Sequence, residues 1–285
     1  MKKKISIIVP IYNGERYLEK LVKKIKEQKD IFEIELIALV TTSKDESLEL
    51  SKKLFDKVIE VKKFNHGKTR HEGALSATGD ILVFITQDIL PYDEYWLKNL
   101  IEPLNENIVA SFSRQIAYEE HSETEKIIRD FNYPDTDRIC NKENKKINGR
   151  KNIFYSDASS AILKEKYFEL GGYDFEVPTN EDVYLANKIV KNGYSFIYAS
   201  QSRIWHSHEL SLKETYKRYR AIGQFEKMFT DEIDFSKTQN EGNKLLKYLI
   251  KELIKRKKIK ELIYLPFDMG ARWLGYKFGG EIEFS

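Results

Sequence analysis

Three apolar runs limit what the first third of this chain can build. Residues 5–11 and 81–85 carry no charge and residues 34–40 carry only Glu35, and polar residues follow each of them. Strands that are apolar without alternation are buried on both faces, as in a parallel sheet covered by helices. The segments between them read as helices. Residues 15–28 place Tyr17, Leu18, Leu21, Val22 and Ile25 at helical spacing, and residues 45–55 do so with Leu48, Leu50, Leu54 and Phe55. Residues 58–61 read as a short strand, and residues 67–77 as a helix that Gly79 caps. Strand and helix alternate with short links, so right-handed crossovers in a parallel sheet are the economical solution. Ligands bind such sheets beyond the carboxyl ends of the strands. Tyr12-Asn13-Gly14, residues 41–45 and Thr86-Gln87-Asp88 all fall at such ends.

The remainder is less regular. Residues 119–152 are polar and poorly periodic and read as a mobile connection or acceptor-side loop. A second ordered block follows, with the Gly171-Gly172 turn, a helix over 181–192 and a strand over 196–199. With 41% apolar and 13% aromatic residues, the 285-residue chain can bury a sizeable core, which rules out disorder. The single cysteine, Cys140, excludes an internal disulfide and fits a reducing compartment. No apolar run approaches the ~20 residues of a membrane span. The basic-then-apolar start reads as a first strand and not as a secretion signal.

Formal net charge is +3, but residues 243–285 hold ten Lys/Arg against five Asp/Glu, so the rest of the chain is slightly acidic. A nearly neutral body argues against nucleic acid as partner. In the tail, Leu245, Leu246, Leu249, Ile250, Leu253 and Ile254 share a helical face among many lysines. Two readings fit: a basic amphipathic helix at an anionic membrane surface, or a solvated helix packed on the body.

Taken in order, IVPIYNG (8–14), HGKTRHEGA (66–74), ATGDILVFITQD (77–88), GGYD (171–174), NEDVYLA (180–186) and WHSH (205–208) resemble the inverting glycosyltransferases of family 2. FNHGKTR, TQDILP, SFSRQ, FNYP, YSDASSA and HSHELS narrow the resemblance to bacterial rhamnosyltransferases that build cell-surface polysaccharide. The resemblance implies an α/β GT-A (Rossmann-like) fold, with a mostly parallel sheet flanked by helices and a basic helical appendage. Residues 1–230 would form the glycosyltransferase domain, split into a nucleotide-sugar half (1–118) and an acceptor half (119–230). Residues 231–285 would form the appendage.

Roles follow by position. Asp182 matches the family's base at a helix start, beside Glu181; there the helix dipole keeps a carboxylate ionised at neutral pH without further tuning. Asp88 stands where the family carries Asp-x-Asp, but Thr86 replaces the first acid. Asp88 and His206 are the expected ligands of a divalent cation, Mg²⁺ or Mn²⁺, that offsets the charge of a departing diphosphate. Pro10, Tyr12, Asn13, Thr41, Asp45, Lys68, Arg70, Asp80, Gln87 and Asp88 are the expected nucleotide-sugar contacts. Thr41-Thr42-Ser43 replaces the family's acidic pair, so either a Thr hydroxyl, a backbone group or Asp45 reads the base. Arg114, Asp157, Gly172 and His208 fall on the acceptor side.

The implied reaction is transfer of L-rhamnose from dTDP-L-rhamnose to a lipid-linked or growing polysaccharide, with inversion. It would take place in the cytoplasm, at the inner face of the cell membrane. Two alternatives stay open: a UDP-hexose donor, or a degenerate nucleotide-sugar-binding scaffold at the membrane.

Overall fold

The chain is described by a computed structural model covering residues 4–29, 33–236 and 238–279. Its first part alternates strictly: β1 (Lys4–Ile11), α1 (Glu15–Lys26), β2 (Glu33–Thr41), α2 (Ser47–Leu54), β3 (Lys57–Val61), α3 (His66–Ser76) and β4 (Ile81–Ile85). Then come β5 (Leu90–Pro91), α4 (Trp96–Ile101), β6 (Ile108–Ile116), α5 (Glu123–Asn132), β7 (Arg138–Cys140) and α6 (Lys145–Asn148). A 3-10 turn, β8 (Ser159–Leu163), α7 (Lys164–Glu169), α8 (Glu181–Lys191) and β9 (Ser195–Trp205) follow. The chain continues through α9 (Leu212–Met228), α10 (Thr238–Lys255) and α11 (Ile259–Phe278).

Two compact units emerge. The first holds residues up to Gln115 with Asp135–Glu176 and Glu181–His206; the second holds Ile116–Pro134, Val177–Asn180 and the chain from Ser207. The helical unit therefore starts upstream of residue 231, because α9 belongs with α10 and α11.

In the first unit the strand order is β3-β2-β1-β4-β8-β6-β9-β5, with β7 paired to β9. The pairs β2·β3, β1·β2 and β1·β4 are parallel, as the alternation requires, while β8 runs antiparallel to both β4 and β6. Every residue of β4 and all but the first of β1 are buried. α1 covers the sheet with Leu18, Leu21, Val22 and Ile25. The parallel strands end together, so the residues after Ile11, Thr41, Val61 and Ile85 gather along one edge.

Three local expectations are corrected. Residues 119–152 are not a structureless connection: Ser122 caps α5 by accepting from the Glu125 amide, and Ile127 and Ile128 are buried. The strand expected over 196–199 extends through Trp205 as β9, which delivers His206 at its end. Gly79 is not a helix cap; α3 ends at Ser76, with Ala77 extended. Glycine is required at 79 by close approach, since a Cβ there would lie 2.6 Å from the Ser6 backbone nitrogen. The Gly79 N–H also donates to Ser6 Oγ at 2.9 Å, fixing the entry to β4.

Gly79→Ala is therefore expected to destabilise the chain by about 1–3 kcal/mol, the usual effect of forcing a methyl into a packed site. Urea denaturation measures this, and an unchanged midpoint would contradict the close approach.

Candidate active site

A cavity of ≈ 520 Å³ opens at the carboxyl ends of the four parallel strands. Its wall is supplied by Pro10 and Ile11 at the end of β1 with Tyr12 beyond, Thr41 at the end of β2, Lys62, Lys63 and Phe64 after β3, and Thr86, Gln87 and Asp88 after β4; His66 and Arg70 of α3 complete it. The size suits a small-molecule ligand. Two hydroxyls of this wall, Thr41 Oγ1 and Thr86 Oγ1, are buried without a hydrogen-bond partner. Buried polar atoms are seldom left so, and these two offer a ligand its polar contacts.

The expected nucleotide contacts separate into distinct groups. Gln87 reads the backbone: its Oε1 accepts from the Tyr12 N–H and its Nε2 donates to the Tyr12 carbonyl, both at 2.9 Å. Those bonds fix the β1–α1 loop, where Asn13 takes a left-handed φ of 47°. Tyr12 is left 56% exposed, with its ring available as a stacking surface. Asp45 does not line the cavity; its carboxylate accepts from the Glu15 amide at 3.1 Å and the Ser47 amide at 3.3 Å, tying α1 to α2. Lys68 is exposed and ion-paired with Glu176 at 3.1 Å. Asp80 sits before β4, at the amino end of the sheet, where its Oδ2 accepts from the Lys4 amide at 3.3 Å. The cations at the cavity wall are instead Lys62 and Lys63, both exposed, and the buried Arg70. Apart from the FNHG run containing His66, no signal singled these lysines out, because a Lys-Lys pair after a strand is common.

Asp88 and His206 converge. The His206 Nε2 lies 3.7 Å from Asp88 Oδ1. Its Nδ1 meets Gln115 Oε1 at 2.8 Å, and the Gln115 amide is oriented by donating from Nε2 to Ser156 Oγ at 2.8 Å. With its oxygen held toward the ring, Gln115 accepts from Nδ1–H, which leaves the Nε2 lone pair aimed at Asp88. A carboxylate and an imidazole so oriented fit a divalent cation, and the second-nitrogen bond is the usual support of a ligating histidine. Gln115 lay within the quoted SFSRQ run without a role; only the fold reveals one. His208 falls in the second unit, where its N–H reaches Glu125 Oε1 at 3.5 Å. Arg114 is half-buried on β6.

Behind the cavity wall, acids crowd around Arg70. Its Nη1 lies 3.0 Å from Glu181 Oε1 and its Nε 3.7 Å from Asp157 Oδ2. All three residues are at most 5% exposed at the side chain. His66 Nδ1 stands 3.7 Å from the same Glu181 oxygen. Asp182 is adjacent; its Oδ2 accepts from the Asp157 N–H at 3.2 Å and its Oδ1 from the Val183 N–H at 2.7 Å. Gly172, with φ 50°, is fixed by contact, since a Cβ would lie 2.6 Å from the Tyr167 ring.

The environment divides these acids. Burial works against the charge of Glu181, but Arg70 and then His66 outweigh it and hold its carboxyl down to about 2. Burial raises Asp157 to about 6 against the pull of Arg70. Burial raises Asp182 well above the ordinary carboxylate range, followed by the charges of Glu181 and Asp157. This corrects the expectation that the helix start leaves Asp182 ionised without tuning. Two amide hydrogen bonds are outweighed by protein crowding and two acid neighbours. Asp182 nonetheless keeps some solvent exposure, whereas Glu181 is buried and committed to Arg70.

Comparison with known proteins agrees with this geometry. Residues 6–171 match the model of Glycosyl transferase family 2, and the chain belongs to that family. It is a glycosyltransferase with a GT-A fold. Among its relatives is the O-antigen chain rhamnosyltransferase RfbN of Salmonella typhimurium, 29% identical over 97% of this chain and 89% of that protein. Another is the O-antigen chain rhamnosyltransferase WbaN of Salmonella anatum, 26% identical over 96% of this chain and 88% of the relative. Among solved structures, the mannosyltransferase PcManGT of Pyrobaculum calidifontis, in complex with GDP-Man and Mn²⁺, superimposes with a TM-score of 0.67 at 14% identity, covering 98% of this chain and 86% of that one. S. aureus TarS 1-349, in complex with UDP-GlcNAc, gives 0.57 at 16% identity, covering 97% and 90%.

Arg70→Met would strand Glu181 among acids. We expect it to cost about 3–5 kcal/mol of stability at neutral pH, the usual penalty for breaking a buried pair. In the native chain the Glu181 contribution is present above the unfolded Glu value of about 4.3 and lost as pH falls toward 2. The difference between variant and native chain should therefore shrink on acidification. Denaturation at a series of pH values measures it; a loss as large well below about 4.3 as at neutral pH would contradict the assignment.

Proposed function

We propose that this glycosyltransferase moves L-rhamnose from dTDP-L-rhamnose to a lipid-linked or growing cell-surface polysaccharide, inverting the anomeric carbon. The carrying observation is Arg70, which belongs both to the cavity wall and to the acid cluster holding Asp182, so donor cavity and base share one support. Rhamnose as the sugar rests on the two near-full-length O-antigen relatives. The cavity takes the nucleotide, with the Tyr12 ring, Pro10 and Thr41 around the base and ribose and Lys62 and Lys63 beside the diphosphate. Asp182 accepts the acceptor hydroxyl proton as that oxygen bonds to the anomeric carbon from the face opposite the leaving group. The bond from that carbon to the phosphate oxygen breaks, and the diphosphate departs with the electron pair. A pKa raised above the ordinary carboxylate range strengthens Asp182 as a base. Glu181 stays ionised and keeps Arg70 in place. Asp88 and His206 are the residues that would hold Mg²⁺ or Mn²⁺, whose charge offsets that of the leaving diphosphate. Asp157, Gly172, Arg114 and His208 are assigned to the acceptor side. The acceptor would be met at the inner face of the cell membrane, with the protein held there peripherally.

Asp182→Asn is expected to lower kcat by roughly 10²–10⁴-fold with little change in KM. Asp88→Ala should abolish the dependence of turnover on divalent cation. For the native enzyme kcat/KM should rise with pH, its ascending limb lying above the ordinary carboxylate range, and Asp157→Asn should move that limb to lower pH by removing a neighbouring negative charge. Unchanged rates in Asp182→Asn and Asp88→Ala together would refute these roles.

The TarS likeness keeps a UDP-hexose donor as a second reading. Thermal-shift titration separates the two. Saturation at ~100 times the dissociation constant adds about 2.7 kcal/mol of stability, so dTDP should raise Tm at lower concentration than UDP. The reverse order would favour the second reading.

A further inference from the structure

The apolar face that the sequence offers in residues 245–254 is largely consumed by folding. Leu249 and Leu253 of α10 are fully buried against Ile127 and Ile128 of α5 and Leu265 of α11, with Leu245 and Leu246 packed beside them. Ile250 and Ile254 of α10 stay exposed, but the longer unpartnered apolar surface is on α11. Ile259, Ile263, Phe267, Gly270, Leu274 and Phe278 recur every three or four residues and share one side of this 20-residue helix. The five with side chains are between 39% and 68% exposed, and Tyr264 and Trp273 flank them, also exposed. The opposite side faces inward: Leu265 enters the buried cluster, Asp268 is held by Arg272 at 2.7 Å, and Gly275 backs onto the Tyr216 carbonyl of α9.

Charge frames this stripe with one sign. Lys255, Lys257, Lys258 and Lys260, all exposed, surround the turn from α10 into α11. Lys277 stands at the other end, its Nζ 4.9 Å from the Trp273 ring centre. Neither acid of α11 is exposed: Glu261 accepts from the Glu123 amide and Asp268 is buried. An apolar strip about 28 Å long, with cations at both ends and amphipathic aromatics at its margin, matches a lipid–water boundary with anionic headgroups. A second copy of this chain on the same strip would set lysine against lysine, which disfavours self-pairing. No helix among the described residues is long and apolar enough to cross a membrane.

We propose that the outward stripe of α11, with the lysines of the α10–α11 turn, lies in the plane of an anionic bilayer surface. This deepens the reading of a membrane-held transferase and places the contact on α11, not on the face of α10.

The test is flotation of the full chain with phosphatidylcholine vesicles, with and without phosphatidylglycerol. The expected result is binding that requires phosphatidylglycerol, weakens with salt and shifts tryptophan emission to the blue; Trp273 is exposed whereas Trp96 is fully buried. Ile263→Glu with Phe267→Glu should lower the partition roughly tenfold or more, and the uncharged pair Ile263→Gln with Phe267→Gln should also weaken it. Both pairs should leave thermal melting and donor hydrolysis without vesicles unchanged. Absent binding, binding unaffected by either pair, or a concentration-dependent dimer in solution that the same substitutions abolish would overturn the proposal. Binding with no donor turnover would instead remove the transferase reading and leave the surface standing.

Discussion

A single buried guanidinium organises the site. Arg70 projects from α3 into a space where Glu181 and Asp157 are both almost entirely removed from water, and two carboxylates so placed are not tolerated without a cation. Arg70 also donates from Nη1 to the His66 carbonyl at 3.0 Å, so its own helix fixes its position. Arg70 holds Glu181 ionised and pulls against the burial that raises Asp157, while Asp182 is raised by burial and then by the charges of Glu181 and Asp157. This is the arrangement by which enzymes separate like groups into different roles. Arg70 is thereby engaged by its acids, and the exposed cations of the cavity wall are Lys62 and Lys63.

The cavity depends on a second constraint, the shared termination of four parallel strands. The strands end in register, and each contributes a short polar sequence to one wall. Gln87 locks the first loop by reading the Tyr12 peptide in both directions. Two residues of the Thr86-Gln87-Asp88 triplet thus serve different ends: Gln87 holds backbone, and Asp88 meets His206. The imidazole arrives from the end of β9, with its tautomer set by Gln115. The site draws on the segments that leave β4 and β9 and on Gln115 of β6, strands of one sheet.

Much of this was legible in the sequence because it is local. The strands over 5–11, 34–40 and 81–85, the helices between them and the polar clusters after them follow from hydrophobic periodicity, and the parallel pairing of the first strands follows from their alternation. The Asp88 position and the Glu181-Asp182 pair stand out through the resemblance of the ordered motifs, not through periodicity. What was misread depended on distant neighbours. The polar run over 119–152 contains α5, whose two buried isoleucines find their partners more than a hundred residues away in α10 and α11. Asp80 and Asp45 are suitable acids in suitable company, yet one lies at the wrong end of its strand and the other is spent on helix amides.

The sequence by itself determined the class of fold, the edge of the sheet at which the cavity opens and the family to which the chain belongs, since periodicity and motif order are properties of the chain read in line. Only the tertiary structure decided which charges are shared and which apolar surfaces remain uncovered. A carboxylate's pKa depends on what surrounds it in space, and a helix face is exposed or buried according to what packs on it. Arg70 among its acids and the outward stripe of α11 are both products of folding.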